Sequence, residues 1–285
     1  MNAYAKVGIL LLCCLILVSL FLLWPHTKHI TIELEREFGG EENEDGWFVL
    51  PTTDHGCIVT GYTRSYGAGG SDIWVVKIDE NGNEQWNRTY GGKNDEEGRS
   101  IVKTHSGGYA IAGGTFSYGN GGEDFWLVKI DGDGKEEWNS TFGSKNDEYC
   151  NQIIQTSDNG FLLVGHSING DRFSGFIVKT TASGTLEWEK LLEEETQTGA
   201  SSCEETKDGY IIVGYIGVYG KNQDLLVIKL DMSGRTVWTH AVGGDFTEAG
   251  VWVKKILDKR FFITGYKDER GSGTTDLWLL KIEAD

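Results

Sequence analysis

The residues best suited to chemistry are glutamates that recur once in each repeat of about 50 residues. Glu44, Glu96, Glu148 and Glu248 stand two residues before an aligned Gly or Cys, and Gln197 takes the remaining position. Carboxylates that share one opening repel each other, which favours protonation of one of them or capture of a hard cation such as Ca²⁺. Three interpretations stay open: bonding of each glutamate to its own loop, a cation or ligand site, or the acid–base pair of a glycosidase. The last interpretation needs carboxylates in distinct environments, which repeat-related glutamates do not provide.

Tyrosines recur in glycine-rich loops that we expect on the same face as the glutamates. Aromatic rings beside carboxylates suit a sugar or a peptide. The predicted ligand-binding set is Glu44, Glu96, Glu148, Glu248, Gln197, Tyr66, Tyr118 and Tyr219, with the four glutamates as candidate Ca²⁺ ligands. No catalytic residue is assigned, because the sequence contains no triad pattern, phosphate loop or dinucleotide motif.

These residues belong to a repeated pattern of short strands. The aligned lysines are spaced by 52, 50, 50 and 52 residues, at Lys77, Lys129, Lys179, Lys229 and Lys281. Each lies in an apolar phrase such as Ile-Trp-Val-Val-Lys-Ile-Asp at 73–79. A period near 50 built from short alternating strands is typical of a β-propeller with one repeat per blade. The sequence therefore predicts an all-β fold, a five-bladed β-propeller of four-stranded antiparallel blades.

The fifth repeat stops before its fourth strand, whereas residues 30–40 end in the Phe-Gly-Gly signature of such a strand. Pairing the N-terminal strand with the last blade would hide the edges where the ring meets. We therefore predict that residues 30–40 close the propeller. The predicted blades are 41–90, 91–142, 143–192, 193–242 and 243–285, the last of them completed by 30–40, within a domain spanning 29–285.

The segment 7–24 is an unbroken apolar run of eighteen residues, from Val7 to Trp24. That length is about the minimum for crossing a bilayer, and no small-residue cleavage site follows it. Residues 1–28 are thus predicted to form a short cytoplasmic tail and a transmembrane anchor, in preference to a cleaved signal. The expected location is the cell membrane, single-pass, with the propeller on the extracytoplasmic side.

Charge and cysteine content restrict the partners. A net charge of −17 argues against nucleic acid, because phosphate binding needs a basic surface. Cys57, Cys150 and Cys203 occupy non-equivalent repeat positions and imply no disulfide framework. The sequons at Asn87 and Asn139 are candidate glycosylation sites, although both belong to the recurring Trp-Asn-x-Thr strand pattern.

The repeats resemble those of archaeal and bacterial surface proteins grouped with PQQ-like propellers. The resemblance rests on Gly-Tyr-Thr at 61–63, the phrase at 73–79, and Asp-x-x-Gly-x-x-x-Trp at 79–86 and 131–138. It covers about residues 30–285 and implies the fold rather than a function. The quinone enzymes of this kinship use eight blades and adjacent cysteines beside a calcium-held cofactor, whereas the only adjacent cysteines here are Cys13 and Cys14. PQQ is therefore not expected, and Ca²⁺ is the only cofactor considered.

These observations favour a non-catalytic binding or scaffold module for a surface protein or a glycan. The alternative is a carbohydrate-active enzyme, similar to a glycoside hydrolase, that uses axial carboxylates. The oligomeric state stays open.

Overall fold

A computed structural model describes residues 33–192, 195–218, 221–244, 247–257, 259–268 and 274–284. Its strands form five antiparallel sheets that follow one another along the chain. Each sheet is called a blade here, numbered in chain order. Alternating side chains give every strand two usable faces, so each blade can pack against a neighbour on both sides.

The first three blades have four strands each. Blade 1 contains β1 (Glu44–Pro51), β2 (Cys57–Thr63), β3 (Asp72–Ile78) and β4 (Glu84–Tyr90). Blade 2 contains β5 (Glu96–Lys103), β6 (Tyr109–Thr115), β7 (Asp124–Ile130) and β8 (Glu136–Phe142). Blade 3 contains β9 (Asp147–Gln155), β10 (Phe161–Asn169), β11 (Arg172–Thr180) and β12 (Leu186–Leu191).

The last two blades differ in strand number. Blade 4 contains β13 (Thr198–Thr206), β14 (Gly209–Gly217), β15 (Gln223–Asp231) and β16 (Thr236–Val242). Blade 5 contains only β17 (Thr247–Leu257), β18 (Arg260–Asp268) and β19 (Asp276–Glu283). The strands of each blade fall within the repeat boundaries read from the sequence, and the β-propeller arrangement agrees with the repeat period.

Four hydrophobic clusters join successive blades. One face of blade 1, including Ile73 and Val75, packs on Trp126 and Val128 of blade 2. Equivalent clusters join blade 2 to 3, 3 to 4, and 4 to 5. Among the described residues no such cluster joins blade 5 to blade 1. Leu277 and Leu279 of β19 are accordingly 85% and 62% exposed, although their counterparts in blade 1 are fully buried.

The prediction that residues 30–40 complete the fifth blade and close the propeller is wrong. Among the described residues, 33–40 form no strand, and blade 5 keeps three strands instead of the four expected from residues 30–40. The physical reason lies in what anchors an outer strand. Each fourth strand packs one tryptophan against a hydrophobic core, and these residues are Trp86, Trp138, Trp188 and Trp238. Residues 33–37 offer only Leu34 for this purpose, and it is 41% exposed.

The predicted transmembrane helix also finds no counterpart in the part of the chain that the structure describes. That part is all-β, and it holds no helix of the length and apolar character needed to cross a membrane. Residues 7–24 themselves lie outside the described residues. The fold is therefore corrected to an all-β propeller with one three-stranded blade.

A buried lysine in the third strand of each four-stranded blade binds the turn between the first and second strands of that blade. Lys179 is 1% exposed, and its ammonium lies 2.8 Å from Asp158 and 2.9 Å from Glu187. It also donates to the backbone oxygen of Thr180 at 2.8 Å. Three hydrogen bonds satisfy the three donors of the ammonium, which makes its burial tolerable. Lys77, Lys129 and Lys229 repeat the arrangement with their own carboxylates.

Replacement of Lys179 by alanine is expected to lower the free energy of unfolding by about 2 kcal/mol, because a packed side chain and several charge-assisted bonds are lost. The matched control is Lys281→Ala in the incomplete blade, where the aligned lysine is exposed and the expected loss is under about 0.5 kcal/mol. Urea denaturation of both variants measures the difference. Equal losses at the two positions would contradict the fastening role.

Candidate functional site

A β-bulge interrupts the first strand of every blade at the same place. Each bulge inserts one unpaired residue, and the five residues are Trp47, Arg99, Asn151, Ser201 and Val251. The first strands of successive blades contact each other from β1 through β17, so they line the centre of the propeller. Bulges re-aim side chains and are common beside active sites. The five bulge residues differ chemically, and this breaks the symmetry of the repeat.

Two of the bulge residues form one contact. The Arg99 guanidinium carbon lies 3.5 Å from the ring centre of Trp47, and Arg99 Nη2 is 2.8 Å from Glu97 Oε2. Tyr62 packs edge-on to Trp47 at 5.4 Å between ring centres. The side chains of Arg99 and Glu97 are 42% and 32% exposed. They therefore form an ion pair that solvent and a ligand can reach.

A second carboxyl, that of Glu123, lies beside this pair in a different environment. Glu123 is only 5% exposed. Its backbone N–H donates to Asp147 Oδ1 at 3.2 Å, and its carbonyl accepts from the Glu148 N–H at 2.6 Å. The side chain of Tyr149 also acts on the Glu123 carboxyl and lowers its pKa. The site formed by Trp47, Glu97, Arg99, Glu123 and Tyr149 is called the Glu123 site below.

Burial raises the pKa of Glu123 to about 8, from an ordinary value of 4.5. The negative charge of Glu97 adds to this rise, Arg99 opposes it, Asp147 adds to it, and the Tyr149 hydrogen bond opposes it. The carboxyl of Glu123 is thus protonated at neutral pH, within the electrostatic influence of the solvent-facing, ion-paired carboxylate of Glu97. Two carboxyl groups in different protonation states can act as acid and base.

Aromatic rings continue the site into blade 3. Tyr149 stacks on His166 at 5.4 Å, and His166 lies 5.4 Å from Phe173. Burial, together with the positive charge of Arg99, lowers the pKa of His166 to about 4. His166 is therefore a neutral ring at physiological pH, part of an aromatic wall rather than a cation.

The predicted glutamates serve their own loops. Glu96 is fully buried and accepts hydrogen bonds from Gly92 N at 2.6 Å, Thr115 Oγ1 at 2.9 Å and Ser117 N at 3.0 Å. Glu44 and Glu148 make the same kinds of bond in blades 1 and 3. Such bonds use up the acceptor positions of the carboxylates, so these side chains are not presented together to a ligand.

Glu248 and Gln197 also make polar contacts within the protein. Glu248 accepts from Gly244 N at 3.3 Å and lies 4.0 Å from Lys267. Gln197 donates from Nε2 to the backbone oxygen of Asp171 at 2.8 Å. In the part of the chain that the structure describes, no group of three or more His, Cys, Asp or Glu side chains could hold a metal ion.

The predicted tyrosines pack the loops. Tyr66 and Tyr118 donate to Gly39 O at 2.9 Å and Gly91 O at 3.1 Å. Their rings lie against Trp74 and Trp126, at 6.0 and 5.4 Å between centres. Tyr219 lies outside the described residues.

The sequons stay candidate glycosylation sites. The side-chain amides of Asn87 and Asn139 donate to Glu84 at 2.6 Å and Glu136 at 2.7 Å within their own strands. The extracytoplasmic location likewise stays a prediction.

Sequence reasoning missed every member of the Glu123 site. A usable signal existed in the second-strand residue that pairs with the first strand two positions before the bulge residue. In chain order these residues are Tyr62, Gly114, His166, Tyr215 and Tyr266. Four of these residues carry large rings and the fifth is a glycine, Gly114 of blade 2. Blade 2 also holds Glu97, Arg99 and Glu123.

No protein family matches the sequence, and no curated protein sequence matches it. The kinship with PQQ-like repeats therefore stays a prediction, whereas the propeller fold is supported. Solved structures with a similar fold include an exo-β-1,3-galactanase variant from Phanerochaete chrysosporium with bound β-1,3-galactotriose. It has 12% identity and a TM-score of 0.49 over 83% of this chain and 59% of that chain. The chain thus spans about three fifths of the length of the galactanase.

Two further similar structures are a GH43 β-1,3-galactosidase with galactodeoxynojirimycin and a subtype N11 neuraminidase-like protein from a flat-faced bat isolate from Peru. The galactosidase has 9% identity and a TM-score of 0.46, over 84% of this chain and 90% of that chain. The neuraminidase-like protein has 11% identity and a TM-score of 0.45, over 81% and 71%.

The preferred prediction of a non-catalytic binding or scaffold module is wrong by this comparison, since the similar propellers are by name glycosidases and neuraminidase-like proteins. A likeness with TM-scores below 0.5 carries no argument about the reaction of this chain. Any argument about the reaction must come from the geometry of the Glu123 site.

Replacement of Glu123 by glutamine is expected to change how stability depends on pH. Between pH 4.5 and about 8 the folded protein holds a proton on Glu123 that the unfolded chain releases. The stability that this proton contributes is fully present below pH 4.5 and is lost as pH rises towards 8. Relative to E123Q, the wild type should therefore lose up to about 1.4 kcal/mol of unfolding free energy per pH unit in that window.

Urea denaturation of both proteins from pH 4 to 9 measures this difference, and comparing the two cancels the contribution of His166 and the other groups. A constant difference across the window would mean that Glu123 titrates as it does in the unfolded chain.

Proposed function

We propose that this chain is a glycoside hydrolase, with Glu123 as the proton donor and Glu97 as the second carboxylate. The observation that carries the proposal is the contrast between these neighbours: one carboxyl nearly fully buried, the other a third exposed and paired with Arg99. Glycosidases require such a pair, one group protonated and the other ionised, on either side of the scissile bond.

Each group then has a defined task. The O–H of Glu123 gives its proton to the glycosidic oxygen while the bond from that oxygen to the anomeric carbon breaks. Glu97 either attacks the anomeric carbon or takes the proton of an attacking water. Arg99 holds the Glu97 carboxylate at 2.8 Å and fixes its orientation. The ring of Trp47 lies against Arg99 and that of Tyr62 packs edge-on to Trp47, and together they supply apolar surface for a sugar.

The full-length protein should hydrolyse at least one member of a panel of aryl glycosides that includes galactosides and sialosides. E123Q is expected to lower kcat by about 10²–10⁴-fold for substrates with poor leaving groups. For a dinitrophenyl glycoside, whose leaving group needs no proton, E123Q should keep most of the wild-type rate. E97Q should be slow with both kinds of leaving group, because Glu97 acts on the sugar and not on the departing oxygen.

The matched control is Glu80→Gln, an exposed turn residue that should leave kcat unchanged. NMR of the product anomer then separates the two roles of Glu97: retention indicates a nucleophile and inversion a base. The proposal fails if no glycoside in the panel is cleaved between pH 5 and 8, or if E123Q cleaves poor leaving groups at the wild-type rate.

A further inference from the structure

Gly114 is the one residue without a side chain in a column of rings. Its counterparts in the other blades are Tyr62, His166, Tyr215 and Tyr266. In each blade this residue pairs with the first strand just before the bulge, and in blade 2 the partner is Glu97. The missing ring leaves a space on the face of blade 2 that turns towards blade 3.

The side chain of Glu123 fills that space. A Cβ atom on Gly114 would lie 1.7 Å from Glu123 Oε1, 2.6 Å from its carboxyl carbon and 2.9 Å from its Cγ. All three atoms belong to one flexible side chain, so an added methyl would displace the carboxyl and leave the backbone in place. Neighbouring Gly113 is different, because its Cβ would meet the backbone oxygen of Glu97 at 1.7 Å. Gly113 therefore allows the close approach of two strands, whereas Gly114 leaves room for the Glu123 side chain.

We propose that Gly114 is the positioning residue of the Glu123 site: its lack of a side chain admits the Glu123 carboxyl into the fold beside Glu97. The inference deepens the proposed hydrolase, since it explains how one of two neighbouring carboxyls becomes buried. It also means that Glu123 and Glu97 can take different acid–base roles only if position 114 carries no ring. A ring or a methyl there returns Glu123 to solvent.

The groups that face the Glu123 carboxyl come from two first strands. Glu97 and Arg99 belong to β5, and Asp147 and Tyr149 belong to β9. The negative charges of Glu97 and Asp147 raise the pKa of Glu123, and the positive charge of Arg99 lowers it. Burial has a larger effect than any of these charges. Removing burial is therefore the change that abolishes the unusual titration of Glu123.

The test is a double-mutant cycle read by stability rather than by activity. In the wild-type background, the unfolding constant of wild type relative to E123Q should rise by up to tenfold per pH unit between pH 5 and 8. In the Gly114→Ala background, the same ratio should stay within about twofold over that range. Gly132→Ala is the matched control, because its Cβ would meet no atom within 4 Å, and it should keep the wild-type slope.

Two outcomes overturn the inference: an unchanged slope in the Gly114→Ala background, or a slope lost equally with Gly132→Ala. If Gly114→Ala does not fold, the double variant Gly114→Ala with Glu123→Ala should regain the fold, because the atoms that clash are gone. A double variant that stays unfolded would show that Gly114 is needed by the backbone, and the inference would fall.

Activity is the separate arm. Gly114→Ala should reduce kcat for poor leaving groups and spare dinitrophenyl glycosides. A protein that cleaves no glycoside but loses its pH slope in the cycle would disprove the hydrolase while leaving the positioning role of Gly114 intact.

Discussion

The structure depends on one constraint: each blade must bury the apolar side chains on its faces against the neighbouring blade. Ile73, Phe125 and Leu225 occupy equivalent third-strand positions, and each is fully buried in the cluster shared with a neighbouring blade. Because burial of apolar area drives the packing, the repeat conserves its apolar phrase and fastens the ends with polar groups that are fully bonded, such as Lys179 and Glu96. The glutamates that recur in four of the blades therefore serve the loops. Among the described residues no hydrophobic cluster joins blade 5 to blade 1, and there Leu277 and Leu279 remain exposed.

The candidate site arises where that repetition is interrupted. Bulges give each blade one side chain outside the regular pairing of its strands, and in blades 1 and 2 two such residues meet, Arg99 over Trp47. Blade 2 also lacks the ring that other blades place at position 114. Both departures lie beside Glu97, because Arg99 follows it by two residues in β5 and Gly114 pairs with it across the sheet. Chemistry that needs two unlike carboxyls cannot be built from equivalent repeats, so asymmetry of this kind is a physical requirement of the proposed reaction.

The fold could be predicted from the sequence because its period is carried by many side chains at once, including the five aligned lysines. Closure could not be predicted in the same way, since it rested on a single Phe-Gly-Gly signature and on residues 33–37, which hold Leu34 where the other outer strands hold a tryptophan. The site was missed for a related reason: periodicity singled out Glu44, Glu96, Glu148 and Glu248, and periodic residues serve the shared architecture. The gap at Gly114 is visible in the aligned columns. That Glu123, from a loop nine residues later, occupies the gap needs three-dimensional coordinates.

The chemical identity of residue 123 is not dictated by packing. The equivalent positions in blades 1 and 4 hold Ser71 and Gln223, and both side chains are buried. Gln223 shows that the fold accepts a neutral amide of nearly the same size, with Tyr266 3.4 Å from its oxygen. An amide would avoid the cost of burying a group that tends to ionise. A glutamate at 123 therefore adds to the fold only what an amide lacks, an exchangeable proton held above its usual range of pH, and that is the property a general acid requires.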